Sequence, residues 1–172
     1  PHAIWLDSNR NGYGSGRFSF MGCAGGTLGR IAKADIATRS IQITDSSGTH
    51  TVRHSLFAWL EEDLAKKRIP RDGIDIPFEF TLGWMGYIGY EMKADGTEEH
   101  PHPSPYPDAI LLFCDRGIVI DHQEKQIHLL ALSEKNVTGN AVKWLDDMVN
   151  RFRSFRPDDS HLPDLPSHLP IK

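Results

Sequence analysis

Two alternating runs, Ile41-Gln42-Ile43-Thr44 and Thr49-His50-Thr51-Val52-Arg53, are joined by nothing more than Asp45-Ser46-Ser47-Gly48. Alternation at period two sends every second side chain to the same face of an extended strand. Asp and Ser bond their own backbone in turns, and Gly tolerates positive φ, so the four-residue joint predicts a hairpin. This commits the region to antiparallel sheet. Ile31-Ala32-Lys33-Ala34 upstream extends it to a meander. The same reasoning predicts strands at Ile4–Leu6 and Arg17–Met21, separated by turn chemistry from Asn9 to Gly16. Further strands are expected at Phe78–Leu82, Ala109–Cys114, Gly117–Asp121 and Lys125–Leu132.

Helical periodicity shows in two places. Ser55 is a suitable N-cap for a stripe of Leu56, Trp59, Leu60 and Leu64, with Glu61, Glu62, Lys66 and Lys67 opposite and Pro70 and Gly73 beyond the end. Asn140 is expected to cap a second helix carrying Val142, Leu145, Met148, Val149 and Phe152 on one side. Many strands in hairpin order with two helices give an α+β class: antiparallel β-sheets with a few flanking helices. Residues 1–155 read as one domain. Residues 156–172, with Pro157, Pro163, Pro166 and Pro170, read as a linker. An opening at Pro1-His2-Ala3 with no initiator Met, just before a core strand, together with this ending, is expected of part of a longer protein.

A net charge of −4 supplies no basic field, which argues against nucleic acid and anionic membrane as partners. No apolar run approaches the roughly 20 residues that span a bilayer, and no signal peptide is visible. Cys23 and Cys114 stand in apolar strands outside any CxxC pair, as expected of reduced thiols, so the cytoplasm is the expected compartment. The glycine cluster Gly22, Gly25, Gly26 and Gly29 contains no G-x-G and precedes a strand, so it reads as a turn and not a dinucleotide site. Glu98, Glu99, His100 and His102 are the candidate metal ligands, but a Pro-rich loop is a poor platform, and solvated loop residues are the preferred reading. Asp115, Arg116 and Asp121 read as local salt bridges. From residue chemistry alone no catalytic constellation can be assembled.

Three segments carry more. Trp5-Leu6-Asp7-Ser8 with Gly16-Arg17-Phe18-Ser19-Phe20-Met21-Gly22 resembles the paired opening strands of the anthranilate synthase component I family, with its Leu-(Glu/Asp)-Ser and Arg-(Tyr/Phe)-Ser signatures. Gly83-Trp84-Met85-Gly86-Tyr87-Ile88-Gly89-Tyr90-Glu91 is similar to that family's Gly-rich segment. Pro107-Asp108-Ala109-Ile110, through Asp115-Arg116 to Ile118-Val119-Ile120-Asp121-His122, resembles its Pro…Asp…Asp-His strand pair. Gly86 and Gly89 leave one face bare for close approach of another backbone. The form of the first pair looks closer to the aminodeoxychorismate synthases, the folate branch, than to the tryptophan branch.

The resemblance implies an N-terminal, non-catalytic region of an enzyme that aminates chorismate. Chorismate and Mg²⁺ would bind a C-terminal domain joined in cis, and a glutamine amidotransferase subunit or fused domain would supply ammonia. No catalytic residue, metal ligand or cofactor is then expected in this chain. The family also implies an L-tryptophan pocket between the opening strands, at Ser8, Ser15, Gly16, Arg17 and Phe18. The Ser8 hydroxyl would meet the ligand's ammonium and Phe18 would line the indole slot. Arg17 is further read as an internal salt-bridge partner of Asp7. A free-standing aromatic amino acid sensor and a glutaminase-docking module are the competing classes. The isolated chain is expected to expose apolar surface where a second domain would pack.

Overall fold

Among the described residues nine strands sort into two sheets because the chain changes sheet at two neighbouring corners. The computed structural model describes residues 2–7, 16–67, 73, 75–95 and 105–156. In chain order the elements are β1 (Ala3–Leu6), β2 (Phe18–Cys23), β3 (Arg30–Asp35), β4 (Ser40–Asp45), β5 (Gly48–Arg53), α1 (Leu56–Lys66), β6 (Gly83–Ile88), β7 (Ala109–Cys114), β8 (Arg116–Asp121), β9 (Gln126–Ala131) and α2 (Gly139–Ser154). One sheet has the order β1-β2-β8-β9 and the other β5-β4-β3-β7-β6, with antiparallel pairing throughout. The expected α+β architecture with antiparallel sheets is the one that forms.

The β2–β3 turn and the lone residue Asp115 between β7 and β8 are the corners. Asp115 is fully buried, and its carboxylate accepts the backbone N–H groups of Gly26 and Leu28, both at 2.9 Å. Buried Arg116 donates to the carbonyls of Asp115 and Leu132, each at 2.8 Å. A charge enclosed this way is tolerated because its hydrogen bonds are satisfied. A Cβ on Gly26 would stand 2.3 Å from Asp115 Oδ2, so this turn requires glycine. The pair read from sequence as a local salt bridge is the joint between the sheets.

Ile31, Met85, Leu112 and Cys114 of the five-stranded sheet meet Ile4, Phe20 and Leu130 of the other. On its opposite face Ala32, Ala34, Ile41, Ile43 and Leu111 lie under Leu56, Trp59 and Leu60 of α1. Helix α2 lies along β9. The spacing of Gly86 and Gly89 does what was expected: an added Cβ would stand 1.9 Å from the Ile110 carbonyl oxygen and 2.7 Å from that of Asp108.

Two expectations need correction. Phe78–Leu82 is not a strand: the backbone bends there, and Leu82 takes φ 73° ahead of Gly83 at φ 115°. Phe78 and Phe80 both turn their rings onto Phe20, and that burial overrides a local β pattern. Helix α2 begins at Gly139 with Thr138 at the cap position, so Asn140 lies inside the first turn.

Both thiols are free. Burial pushes the Cys114 thiol up to about 12. A thiol of this kind is inert. Cys114 is therefore expected to resist an aromatic disulfide reagent at pH 8 until the chain unfolds; modification within seconds in the absence of denaturant would contradict its burial.

Candidate functional site

In the β1–β2 register Leu6 lies opposite Phe20, so the residue after β1 comes beside the start of β2. Ser19 Oγ donates to Asp7 Oδ1 at 2.5 Å and lies 2.6 Å from His122 Nε2. The Ser19 hydroxyl thus bridges the Asp7 carboxylate and the His122 imidazole. The backbone N–H of His122 donates to the Arg17 carbonyl at 2.8 Å. Two of the three motif segments, the paired opening strands through Asp7 and Ser19 and the later strand pair through His122, thus meet at a single hydroxyl.

Alongside, β2 pairs with β8 so that Phe18 faces Asp121. Arg17 Nε lies 3.2 and 3.1 Å from the two oxygens of Asp121, and Nη2 lies 2.7 Å from Oδ2. Asp121, fully enclosed, also accepts the N–H groups of Gln123 and Glu124. The hydrogen bond from Arg17 outweighs burial and holds the Asp121 carboxyl at about 2. Arg17 is an internal salt-bridge partner, as its sequence context suggests, but of Asp121 and not Asp7. The register places Arg17 at the end of β8, and Ser19 occupies the Asp7 carboxylate.

Of the five candidate ligand residues, Gly16, Arg17 and Phe18 fall at this end of the sheet, while Ser8 and Ser15 lie outside the described residues. Gly16 has φ 117°. The Arg17 guanidinium caps the Phe18 ring at 4.7 Å, and that ring meets Phe20 at 6.2 Å and Phe78 at 5.4 Å. His128 stands edge-on to Phe78 at 5.2 Å, and its Nε2 is buried with no hydrogen-bond partner among the described residues. Ser19, Asp121 and His122 were quoted in the motifs, but Asp121 was read only as part of a local salt bridge and the other two were given no partner. His128 carried no signal at all.

Glu98, Glu99, His100 and His102 lie outside the described residues. Among the described residues no three His, Cys, Asp or Glu side chains stand together as a metal site, and no helix is long and apolar enough to cross a membrane.

The arrangement ties strands to one another. Ser19 is 1% exposed and its proton is committed to a carboxylate. A Ser19→Ala variant strips Asp7 and His122 of a shared partner. Its expected loss is about 1–2 kcal/mol in urea unfolding; an unchanged midpoint would show that the hydroxyl bridges nothing of consequence.

No protein-family model matches the chain. It is 42% identical over 146 residues to an aminodeoxychorismate synthase of Streptomyces griseus, an alignment that takes in 84% of this chain and 20% of that protein. An aminodeoxychorismate synthase of Streptomyces pristinaespiralis is 39% identical over 170 residues, 95% of this chain and 23% of that one. The chloroplastic aminodeoxychorismate synthase of Arabidopsis thaliana is 32% identical over 165 residues, 88% of this chain and 18% of that one. The chain spans about a fifth of the length of these relatives. Among solved structures, anthranilate synthase component I from Streptococcus pneumoniae TIGR4 shares the fold, with a TM-score of 0.62 over 87% of this chain and 32% of that one at 20% identity.

Proposed function

We propose, from the premise that this chain belongs to the aminodeoxychorismate synthase and anthranilate synthase component I family, that it is the N-terminal, non-catalytic portion of an aminodeoxychorismate synthase. The observation that carries this reading is 42% identity to a protein of that name over 84% of the chain. The whole enzyme would replace the 4-hydroxyl of chorismate with an amino group, giving 4-amino-4-deoxychorismate for p-aminobenzoate and folate. Ammonia would come from a glutamine amidotransferase subunit or fused domain. Chorismate and Mg²⁺ would be held by a chorismate-binding domain in cis. This chain's part is to brace that domain, a role suited to side chains that are tied to each other as Asp7, Ser19 and His122 are.

The test is turnover of chorismate with ammonium and Mg²⁺, products separated by chromatography. The chain alone is expected to form none, and a chimaeric synthase, in which it replaces the matching segment of the Streptomyces griseus relative, is expected to form 4-amino-4-deoxychorismate. Turnover by the chain alone would overturn the non-catalytic role, and anthranilate as product would move the chain to the tryptophan branch.

An L-tryptophan subsite at Ser8 and Ser15–Phe18 belongs to the same reading. The unpartnered Nε2 of His128 beside Phe78 supports it, since a ligand's polar end would satisfy that atom. Calorimetric titration of the chimaera with tryptophan checks it: heats that saturate below about 1 mM are expected, and their absence would remove the subsite.

A further inference from the structure

The two edges of the five-stranded sheet are dressed for different surroundings. β5, at one edge, reads Gly-Thr-His-Thr-Val-Arg, polar and mostly exposed, ending in a charge. That is how an edge strand is kept from pairing with another chain. β6, at the other edge, reads Gly-Trp-Met-Gly-Tyr-Ile, with no charge and no proline. Its second half opens outward: Tyr87 is 44% exposed and Ile88 48%, with Tyr90 at 77% and Tyr106 at 74% close in sequence to the β6 and β7 ends. Gly86 and Gly89 press the strand against β7 on one side, and among the described residues no strand lies on the other. Alternate residues of an edge strand turn their N–H and C=O groups away from their neighbour, and here those groups sit among aromatic and aliphatic side chains.

We propose that the free edge of β6, from Gly86 to Ile88, receives a strand from the chorismate-binding remainder of the synthase polypeptide and extends the five-stranded sheet. This rests on the functional reading above. Two observations choose that occupant. An uncharged, tyrosine-rich edge matches a permanently joined partner better than one that comes and goes. Roughly four-fifths of each relative's length lies outside the matched segment and is available to cover the edge. Main-chain hydrogen bonds would supply the affinity, and Tyr87, Ile88 and Tyr90 the apolar contact.

Hydrogen exchange read by mass spectrometry tests this on the isolated chain and on the chimaeric synthase. The outward amides of residues 86–88 are expected to exchange at least about 100-fold more slowly in the chimaera, with β5 unchanged. Equal rates in a folded chimaera overturn the proposal, as does slowing confined to β1. Protection in the isolated chain that grows with its concentration makes a second copy the occupant and also overturns it. Because the readout is exchange and not turnover, a chimaera that docks but aminates nothing sinks the functional reading and leaves this one standing. A second measurement needs no chimaera. The double variant Tyr87→Lys, Ile88→Lys is expected to lower binding of an apolar dye to the isolated chain at least about two-fold at unchanged circular dichroism. Undiminished dye binding overturns the proposal.

Discussion

A Gly86→Ala variant is expected to lose about 3 kcal/mol or more, enough to leave a marginal domain largely unfolded. The added Cβ would lie 1.9 Å from the carbonyl oxygen of Ile110 and 2.9 Å from the Leu111 Cα. Those are backbone atoms of the paired strand, so no side-chain rotation relieves the overlap, and β6 must lift from β7. Gly139→Ala is the control. An added Cβ there meets nothing within 4 Å, and alanine at the start of α2 is expected to be neutral or slightly stabilising. Urea midpoints for the two variants check the contrast. Equal stability of both would mean that β6 and β7 are not as closely apposed as described.

Acid should remove the contribution of Asp63, and Asp63→Asn should reveal how much that is. The carboxylate accepts Arg30 Nη1 at 3.1 Å, Arg30 Nη2 at 3.0 Å and Trp84 Nε1 at 2.9 Å, and it pairs with Lys67. The Arg30 guanidinium is itself stacked over Trp84 at 5.0 Å and Phe113 at 4.8 Å, which fixes its fork in place. Burial pushes the Asp63 carboxyl up, but the hydrogen bonds from Arg30, Lys67 and Trp84 outweigh it and lower it from 3.8 to about 2. A folded-state value below the unfolded one means stability that is present in full above pH 3.8 and lost as pH falls through about 2. The variant is expected to be about 3 kcal/mol less stable at pH 7, because it leaves a half-enclosed arginine without its counter-charge. That deficit should shrink as pH approaches 2. Urea unfolding at pH 7 and pH 3 measures it, and a deficit that stays constant across the two would show that the carboxylate's charge is not what holds the cluster.

How much of this was legible depends on how far apart the partners are. β3, β4 and β5 follow from alternation and one hairpin loop, since the β3–β4 and β4–β5 pairings lie within a short stretch of chain. Helix α1 was equally open, down to Ser55 Oγ accepting the N–H of Ala58. Arg17 and Asp121, by contrast, are 104 positions apart, and Gly26 and Asp115 are 89 apart. No periodicity in either neighbourhood points to the other. Phe78-Glu79-Phe80 misled for a related reason: the same alternation that suits a strand also suits two rings folded onto Phe20. The family motifs named Asp7, Ser19, Asp121 and His122 without saying that they touch. His128 stands apart from every motif, and its unmet nitrogen became visible once Phe78 was placed beside it.

Asp115 as sole hinge between β7 and β8 makes residues 109–121 a bent rod whose halves belong to different sheets. β2 gains its second neighbour from one half, and β3 gains its far neighbour from the other. The β2–β8 and β3–β7 pairings therefore both need this one segment, and the loops that close are long ones. The two layers are thus coupled through one segment, and β9 adds to β8 beyond it.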